Sequence, residues 1–581
     1  MTRLAVVHKE KCNPVRCGNF LCIRVCPMNR AGKECIVKGE HGKAKIDEEI
    51  CTGCAICQNR CPFEAIHIIN LPEELKKEPI HRYGKNGFAL YNLPIPMFDK
   101  VTGIIGVNGI GKSTSLDILS GLVKPNLGKE KEAKEKEIIE YFKGTEAQLF
   151  FEKMYKGKIK VAYKPQQVDL IPKQAKGTVK ELLKKVDEKK QLDKIAKELE
   201  IEKILDHNIK DISGGELQRV AIAATVLKKA SVYFFDEPTS YLDIKQRIKV
   251  SKFIKNLADE KTAVMVVEHD LIILDYMTDL IHLMYGKEAC YGIVSQPKVT
   301  RVGINVYLDG FLKEENVRFR PYQIKFTTKP PISLKKEHLL TSWQGFKKKI
   351  GTFHLEAESG EIYKNQIVGI LGENGIGKTS FVKILAGVMK TDYELKKVRV
   401  SYKPQYLEKY DALVMEVLKD AIKNYKVQLI RPLNLKSLYT KKLGELSGGE
   451  LQRVAIAECL SKEADIYLLD EPSAYLDVEQ RVIVSKIIRN FIELKYKAAL
   501  VVDHDILFID YVSERLMVFQ GEPAVNGKAN KPETMEEGMN LFLKDLNITF
   551  RRDSDSNRPR ANKEGSQMDE KQKRENKLYY T

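Results

Sequence analysis

Two stretches of the chain have the residue types and spacing to hold the phosphates of a nucleotide. Gly106-Val-Asn-Gly-Ile-Gly-Lys-Ser113 and Gly372-Glu-Asn-Gly-Ile-Gly-Lys-Thr379 both follow the pattern G-x-x-x-x-G-K-S/T. In such a loop the glycines let backbone N–H groups surround the phosphates, the lysine reaches the β/γ-phosphates and the hydroxyl holds Mg2+. The expected binding residues are Gly106, Val107, Asn108, Gly109, Ile110, Gly111, Lys112, Ser113 and Thr114 in the first loop. In the second they are Gly372, Glu373, Asn374, Gly375, Ile376, Gly377, Lys378, Thr379 and Ser380. Downstream, the apolar runs 231–235 and 465–469 end in Asp236-Glu237 and Asp470-Glu471. There the aspartate is placed to orient Mg2+ and its water, and the glutamate to accept a proton from the attacking water.

A second chemistry is concentrated near the N-terminus. Nine of the eleven cysteines lie before residue 62, leaving Cys290 and Cys459. Clustered cysteines in a chain without a secretory signal are more often metal ligands than disulfides. Cys51-x-x-Cys54-x-x-Cys57-x-x-x-Cys61-Pro62 matches the bacterial ferredoxin run that holds 4Fe–4S clusters, proline included. A looser run, Cys12-x4-Cys17-x4-Cys22-x3-Cys26-Pro27, precedes it. Two-cluster ferredoxins cross the fourth cysteine of each run to the other cluster. That resemblance implies one ligand set of Cys12, Cys17, Cys22 and Cys61 and another of Cys51, Cys54, Cys57 and Cys26. Cys35 is left over and reads as a small buried apolar residue.

These groups need particular elements to position them. Residues 101–105 and 367–371 read as buried strands, and 115–119 and 381–385 as helix starts, so each phosphate loop joins a strand to a helix. The arrangement is an internal repeat: Gln166 recurs as Gln405, Ser213-Gly-Gly-Glu-Leu-Gln as Ser447-Gly-Gly-Glu-Leu-Gln, and His269 as His504. The span from loop to glutamine is longer in the first copy, which places an insertion in 129–158. Its Lys/Glu run, then Tyr141, Phe142, Leu149, Phe150, Phe151 and Tyr155, predicts a helical hairpin whose aromatics form a contact surface. Gly303-Ile-Asn-Val-Tyr-Leu308 resembles Gly538-Met-Asn-Leu-Phe-Leu543, and Asn316-Val-Arg-Phe-Arg320 resembles Asn547-Ile-Thr-Phe-Arg551. These paired basic segments are expected to brace the halves as hinges. From Asp553 on, the polar and charged composition predicts a loosely held tail.

The repeated motifs resemble those of the ATP-binding cassette (ABC) superfamily. Ser213-Gly-Gly and Ser447-Gly-Gly look like its signature, Gln166 and Gln405 like its Q-loop glutamines, and His269 and His504 like its switch histidines. Ser240-Tyr-Leu-Asp243 and Ala474-Tyr-Leu-Asp477 look like its D-loops. The resemblance implies composite sites, in which Ser213 and Gly215 of one cassette, or Ser447 and Gly449 of the other, close on the γ-phosphate across the interface. Site one would combine Lys112, Asp236, Glu237 and His269 with Ser447, and site two Lys378, Asp470, Glu471 and His504 with Ser213. Glu237, Glu471, His269 and His504 would be catalytic. Ser113, Gln166, Thr379 and Gln405 would hold magnesium. Tyr83 and Phe88, and Phe353 or Trp343, are candidates for stacking on adenine.

The expected fold is α/β: two ABC-type P-loop nucleotide-binding domains in tandem, preceded by a ferredoxin-like α+β domain with two 4Fe–4S clusters. The expected boundaries are 1–72 for the cluster domain, 73–296 for the first cassette, 297–326 for a first hinge, 327–522 for the second cassette and 523–581 for a second hinge and tail. A ferredoxin run fused to tandem cassettes resembles ABC subfamily E, the RNase L inhibitor family of ribosome-recycling ATPases of archaea and eukaryotes. The match includes Asn29-Arg-Ala-Gly-Lys33, Phe142-Lys-Gly-Thr-Glu146 and Glu315-Asn-Val-Arg-Phe-Arg-Pro321. The resemblance implies that ATP-driven closure swings the cluster domain and splits the ribosome after termination or stalling. It implies as partners the small subunit with its rRNA and release-factor-like proteins, with ATP, Mg2+ and two 4Fe–4S clusters as ligands.

A net charge of +18 suits a phosphate-backbone partner. No signal peptide opens the chain and no apolar stretch has the roughly 20 residues a membrane helix needs. A cytoplasmic, monomeric protein without a membrane partner is expected. An ATPase gating electron flow through its clusters is the alternative, although no second redox site is legible. A transporter ATPase is a third reading, weakened by the fused ferredoxin head.

Overall fold

The computed structural model describes residues 3–70, 78–326, 336–385, 387, 389, 398–405, 407–408 and 410–579. The expected boundaries at 72 and at 326/327 touch residues outside these ranges. Apolar β-branched runs bounded by turns become the central strands. In the first cassette the parallel core runs Leu280–Lys287, Val101–Ile105, Ala263–Val267, Val232–Asp236 and Val161–Lys164. In the second it runs Arg515–Glu522, Gln366–Leu371, Ala498–Val502, Ile466–Asp470 and Val400–Lys403, in the same order. The phosphate-loop strand lies centrally in each, buried at every residue. Helices cover both faces, as a mostly parallel sheet requires. The second sheet includes Asn526–Ala529, paired antiparallel to Arg515–Glu522, so this cassette extends past residue 522.

The N-terminal domain pairs Arg3–Val7 antiparallel to Ile66–Asn70 and Ile36–Lys38 to Ala44–Ile46, with short helices at Leu21–Val25, Pro27–Arg30 and Ile56–Arg60. It docks on the first cassette through Asn86, whose side chain bonds the backbone of Ala5 and Ile46, and through a bidentate Arg82–Glu48 pair at 2.6 and 2.9 Å. The 129–158 insertion is a helical hairpin, Glu135–Tyr141 and Glu146–Tyr155. Its aromatics do not form the expected contact surface. Phe142, Phe150 and Phe151 are buried against one another and in one hydrophobic cluster with the core of the first cassette, because the hairpin lays its apolar face on that cassette, and Leu149 is the exposed apolar residue there.

The stretch from Asp553 is also not a loose tail. It folds as a strand pair, Phe550–Arg552 with Pro559–Ala561, and a helix, Gln567–Arg574. A set of its polar residues is drawn into a buried network with both cassettes. The fully buried Arg558 and its neighbour Arg560 converge on Asp275 of the first cassette at 3.0 and 2.6 Å, while Arg552 pairs with Asp510 of the second at 2.7 Å. Asp553 accepts from Arg301 and Asn305 on the helix Thr300–Asp309, each at 3.0 Å. Burial works to raise the Asp553 carboxyl, but the donors of Ser556, Asp555 and Asn305 hold it well below the usual carboxylate range. The two segments expected as hinges thus touch each other, and the C-terminal one touches both cassettes.

Candidate nucleotide and iron–sulfur sites

Each phosphate loop leaves its strand at the C-terminal edge of the sheet and enters a helix, Lys112–Leu119 or Lys378–Leu385, where backbone amides and the helix dipole favour an anion. Lys112 Nζ donates to the carbonyls of Gly106 and Val107 at 2.9 Å, and Lys378 to those of Gly372 and Glu373 at 2.8 and 2.5 Å. Burial lowers both ammonium groups, Lys378 to about 8. Behind the loops Ser113 Oγ donates to Asp236 at 2.7 Å and Thr379 Oγ1 to Asp470 at 2.9 Å, which sets a hydroxyl and a carboxylate side by side for a cation. Burial pushes Asp236 up to about 6, against the hydrogen bond from Ser113.

The proposed bases occupy strained backbone. Glu237 and Glu471 lie at φ +46° and +48°, a conformation costing roughly 1–3 kcal/mol for a residue with a side chain. Their carbonyls are pinned by donors that sequence reasoning did not select. Gln218 and Lys164 donate to the Glu237 carbonyl at 2.7 and 3.2 Å, and Gln452 and Lys403 to that of Glu471 at 2.5 and 3.1 Å. Lys164 and Lys403 are fully buried, and burial lowers both to about 8. The signal was present as Tyr163-Lys-Pro-Gln166 and Tyr402-Lys-Pro-Gln405, repeated in both copies.

The expected partners gather on the two carboxylates. Gln166 and Gln405 donate to Glu237 and Glu471 at 2.7 Å, and the Nε2 atoms of His269 and His504 stand 3.4 and 3.5 Å away. The sites then diverge. Ser240 Oγ donates to Glu237 Oε2 at 3.1 Å, whereas the matching residue in site two is Ala474. Burial would raise Glu237, but His269, Lys112 and Ser240 hold it down at about 2. Burial, with the carboxylates of Asp503 and Asp470, pushes Glu471 up to about 7.

One aspartate of each cassette reaches the phosphate loop of the other. Asp477 caps the helix Val478–Lys495 with one oxygen and accepts from the Asn108 N–H of the opposite loop with the other, at 3.1 Å. Asp243 does the same for Ile244–Lys255 and the Asn374 N–H, also at 3.1 Å. Ser213 and Ser447 are the N-caps of Gly214–Val226 and Gly448–Ser461, with Gly215 and Gly449 in the first turn beside the carbonyls of Tyr241 and Tyr475.

Of the aromatic candidates, Phe88 and Phe353 lie beneath the loops. A Cβ on Gly111 would meet the Phe88 ring at 2.7 Å, and one on Gly377 the Phe353 ring at 2.8 Å, so both rings require glycine there. Tyr83 is exposed, with its hydroxyl 3.4 Å from Thr114 Oγ1 and its ring edge to face with His81. Trp343 is buried edge-on against Phe381 and is not available.

In the N-terminal domain one cavity is lined by Cys26, Cys51, Cys54 and Cys57 together with Cys35. The other four cysteines form a second group: burial pushes Cys22 up to about 11, and Cys12, Cys17 and Cys61 crowd it in the same direction. Thiols massed in this way fit iron, which takes them as thiolates and removes the mutual penalty. Cys35 is buried beside Cys26 and Cys51, its thiol directed at the Asp47 carbonyl at 3.9 Å.

Fold and site together define a tandem ABC-type ATPase with an iron–sulfur head. The family model for the ABC transporter matches residues 97–240 and 355–474. The model for a possible Fer4-like domain in RNase L inhibitor matches 2–34, and that for a 4Fe–4S binding domain matches 44–67. An uncharacterized ABC transporter ATP-binding protein of Methanocaldococcus jannaschii is 52% identical, covering 100% of this chain and 97% of its own. A model of ribosome-bound archaeal Pelota and ABCE1 superposes with a TM-score of 0.93 at 53% identity, over 100% of this chain and 99% of that one. The archaeal ribosome recycling factor crystallised with the ribosomal stalk protein aP1 gives 0.83 at 52% identity, over 88% of this chain and 100% of that one. The chain belongs to ABC subfamily E, the RNase L inhibitor family. No helix among the described residues is long and apolar enough to cross a membrane.

Proposed function

We propose that this ATPase recycles ribosomes, using two composite sites to drive its cluster domain against a ribosome prepared by a Pelota-like factor. The reading is carried by the reciprocal contact of Asp477 with the first phosphate loop and Asp243 with the second, which supports sites shared between the cassettes. Likeness to the archaeal recycling factor and to the ribosome-bound model supports the ribosome, a stalk protein and a release-factor-like protein as partners.

ATP enters with its phosphates on the 106–111 and 372–377 loops. The signature helix N-termini at Ser447 and Ser213 close on the γ-phosphates from the opposite cassettes. Mg2+ would be held by Ser113 with Asp236 and Gln166, and by Thr379 with Asp470 and Gln405, and would neutralise phosphate charge. Glu237 and Glu471 take the proton of the attacking water, and His269 and His504 fix the position of those carboxylates. Hydrolysis breaks the bond between the β- and γ-phosphates, and once the γ-phosphate leaves as inorganic phosphate the cassettes lose the group that joins them and part. The two ligand sets, Cys12, Cys17, Cys22, Cys61 and Cys51, Cys54, Cys57, Cys26, would hold two 4Fe–4S clusters as rigid cross-links in a domain too small for a large core. The proposed domains follow the expected ones, with the second cassette extended through Asn526–Ala529 and an ordered C-terminal segment.

Sedimentation tests this. With a non-hydrolysable ATP analogue the protein should travel with small subunits, and Glu237→Gln with Glu471→Gln should trap it there under ATP. If it stays at the top of the gradient in both cases, the recycling reading is wrong.

A further inference from the structure

The head meets the first cassette at a group of side chains that the ATP and cluster chemistry leaves unused. His8 follows the strand Arg3–Val7, His67 lies on the partner strand Ile66–Asn70, and Cys290 sits on the turn between Leu280–Lys287 and Tyr291–Val294 of the cassette. One ligand atom from each lies within 4.8 Å of the other two. Cys290 Sγ is 4.0 Å from His8 Nε2, and the two imidazoles stand edge to face with centroids 5.0 Å apart. Cys290 is fully buried, and His67 Nδ1 is buried with no hydrogen-bond partner among the described residues.

We propose that His8, His67 and Cys290 form a zinc site that pins the iron–sulfur domain to the first cassette. Zinc takes imidazole and thiolate in tetrahedral sites with bonds of about 2.0–2.3 Å, so its ligand atoms stand roughly 3.3–3.8 Å apart. The donors, within 4.8 Å of one another, therefore need to close by up to about 1.5 Å. Two imidazoles, one thiolate and a water complete the set, and the Cys290 proton leaves to solvent as the metal binds. Lys11 and Lys287 face the group and oppose a cation; the thiolate offsets one of its two charges.

The second cassette supplies an internal comparison. Its matching turn carries Val525 where the first has Cys290: Ala289 N–H donates to Gly109 at 2.9 Å and Ala524 N–H to Gly375 at 3.0 Å, one residue before each. Val525 is exposed, whereas Cys290 is fully buried. The cysteine thus stands in the cassette on which the head docks, and not at the matching position of the other. Because the same turn bonds the first phosphate loop through Gly109, a metal there would tie the head directly to the loop that receives ATP.

The test is equilibrium dialysis of the full-length, iron-replete protein against Zn2+ without oxygen, with zinc and iron both measured by mass spectrometry. The wild type should bind one more zinc per chain than Cys290→Ser or His67→Asn at equal iron content. Zinc should also slow amide hydrogen exchange in Ile66–Asn70 and Tyr291–Val294 in the wild type alone. Should Cys290→Ser lose iron or melt early, His8→Asn at a half-buried position gives the same comparison. Equal zinc in wild type and variants, or exchange unaffected by zinc, overturns the proposal.

Discussion

Ala474→Ser, made in a Glu237→Gln background that leaves only site two working, should raise ATP hydrolysis in mildly acid solution. Glu471 is pushed up to about 7 by burial and by Asp503 and Asp470, so as a base it is lost as the pH falls through that value. In site one the Ser240 hydroxyl supplies a 3.1 Å hydrogen bond that Ala474 cannot. A hydrogen bond to a charged group contributes roughly 1.5 kcal/mol, or about one pKa unit. Moving Glu471 from about 7 to about 6 raises its ionised fraction at pH 6 from about a tenth to about a half, a gain of roughly fivefold. At pH 8, where both forms are ionised, the rates should agree within a factor of two. Single-turnover quench measurements between pH 5.5 and 8.5 isolate the chemical step from product release. Superimposable profiles for Glu237→Gln with and without Ala474→Ser would refute the reasoning, as would a flat profile for site two.

Gln218→Ala removes one of the two donors that hold Glu237 in its left-handed backbone, and should lower site-one turnover about tenfold with little change in nucleotide KM. Asp553→Ala strands Arg301, Asn305 and Arg560 around a lost acceptor and should cost about 3–5 kcal/mol, read as a lower Tm in a calorimetric scan. Cys54→Ala should remove half of the bound iron whereas Cys35→Ala should leave iron content unchanged, both measured by elemental analysis.

What the sequence made legible follows from what each residue does in contact with its own neighbours. Phosphate loops between strand and helix, and the serines capping Gly214–Val226 and Gly448–Ser461, are defined by their own neighbours in the chain, so their spacing survives as text. Lys164 and Lys403 escaped because a lysine ending a strand reads as surface, and only the folded sheet shows it reaching the Asp236 and Asp470 carbonyls at 2.9 and 2.6 Å. The C-terminal segment was misread because charge and low hydrophobicity are also the composition of disorder. Its partners, Asp275, Arg301 and Asp510, lie too far along the chain for any local window to contain them. The insertion's aromatics failed for the opposite reason: periodicity showed an apolar face but not that the cassette's own core would cover it.

The Arg301–Asp553 pair also sets a schedule for making the protein. Its partners are 252 residues apart, so at about 5–20 residues per second roughly 10–50 s of translation separate the hinge arginine from its carboxylate. Throughout that interval the first cassette can fold its sheet but cannot dock Arg558 on Asp275 or close its hinge. The newborn ATPase is therefore held without its completed axle until its C-terminal segment has been synthesised.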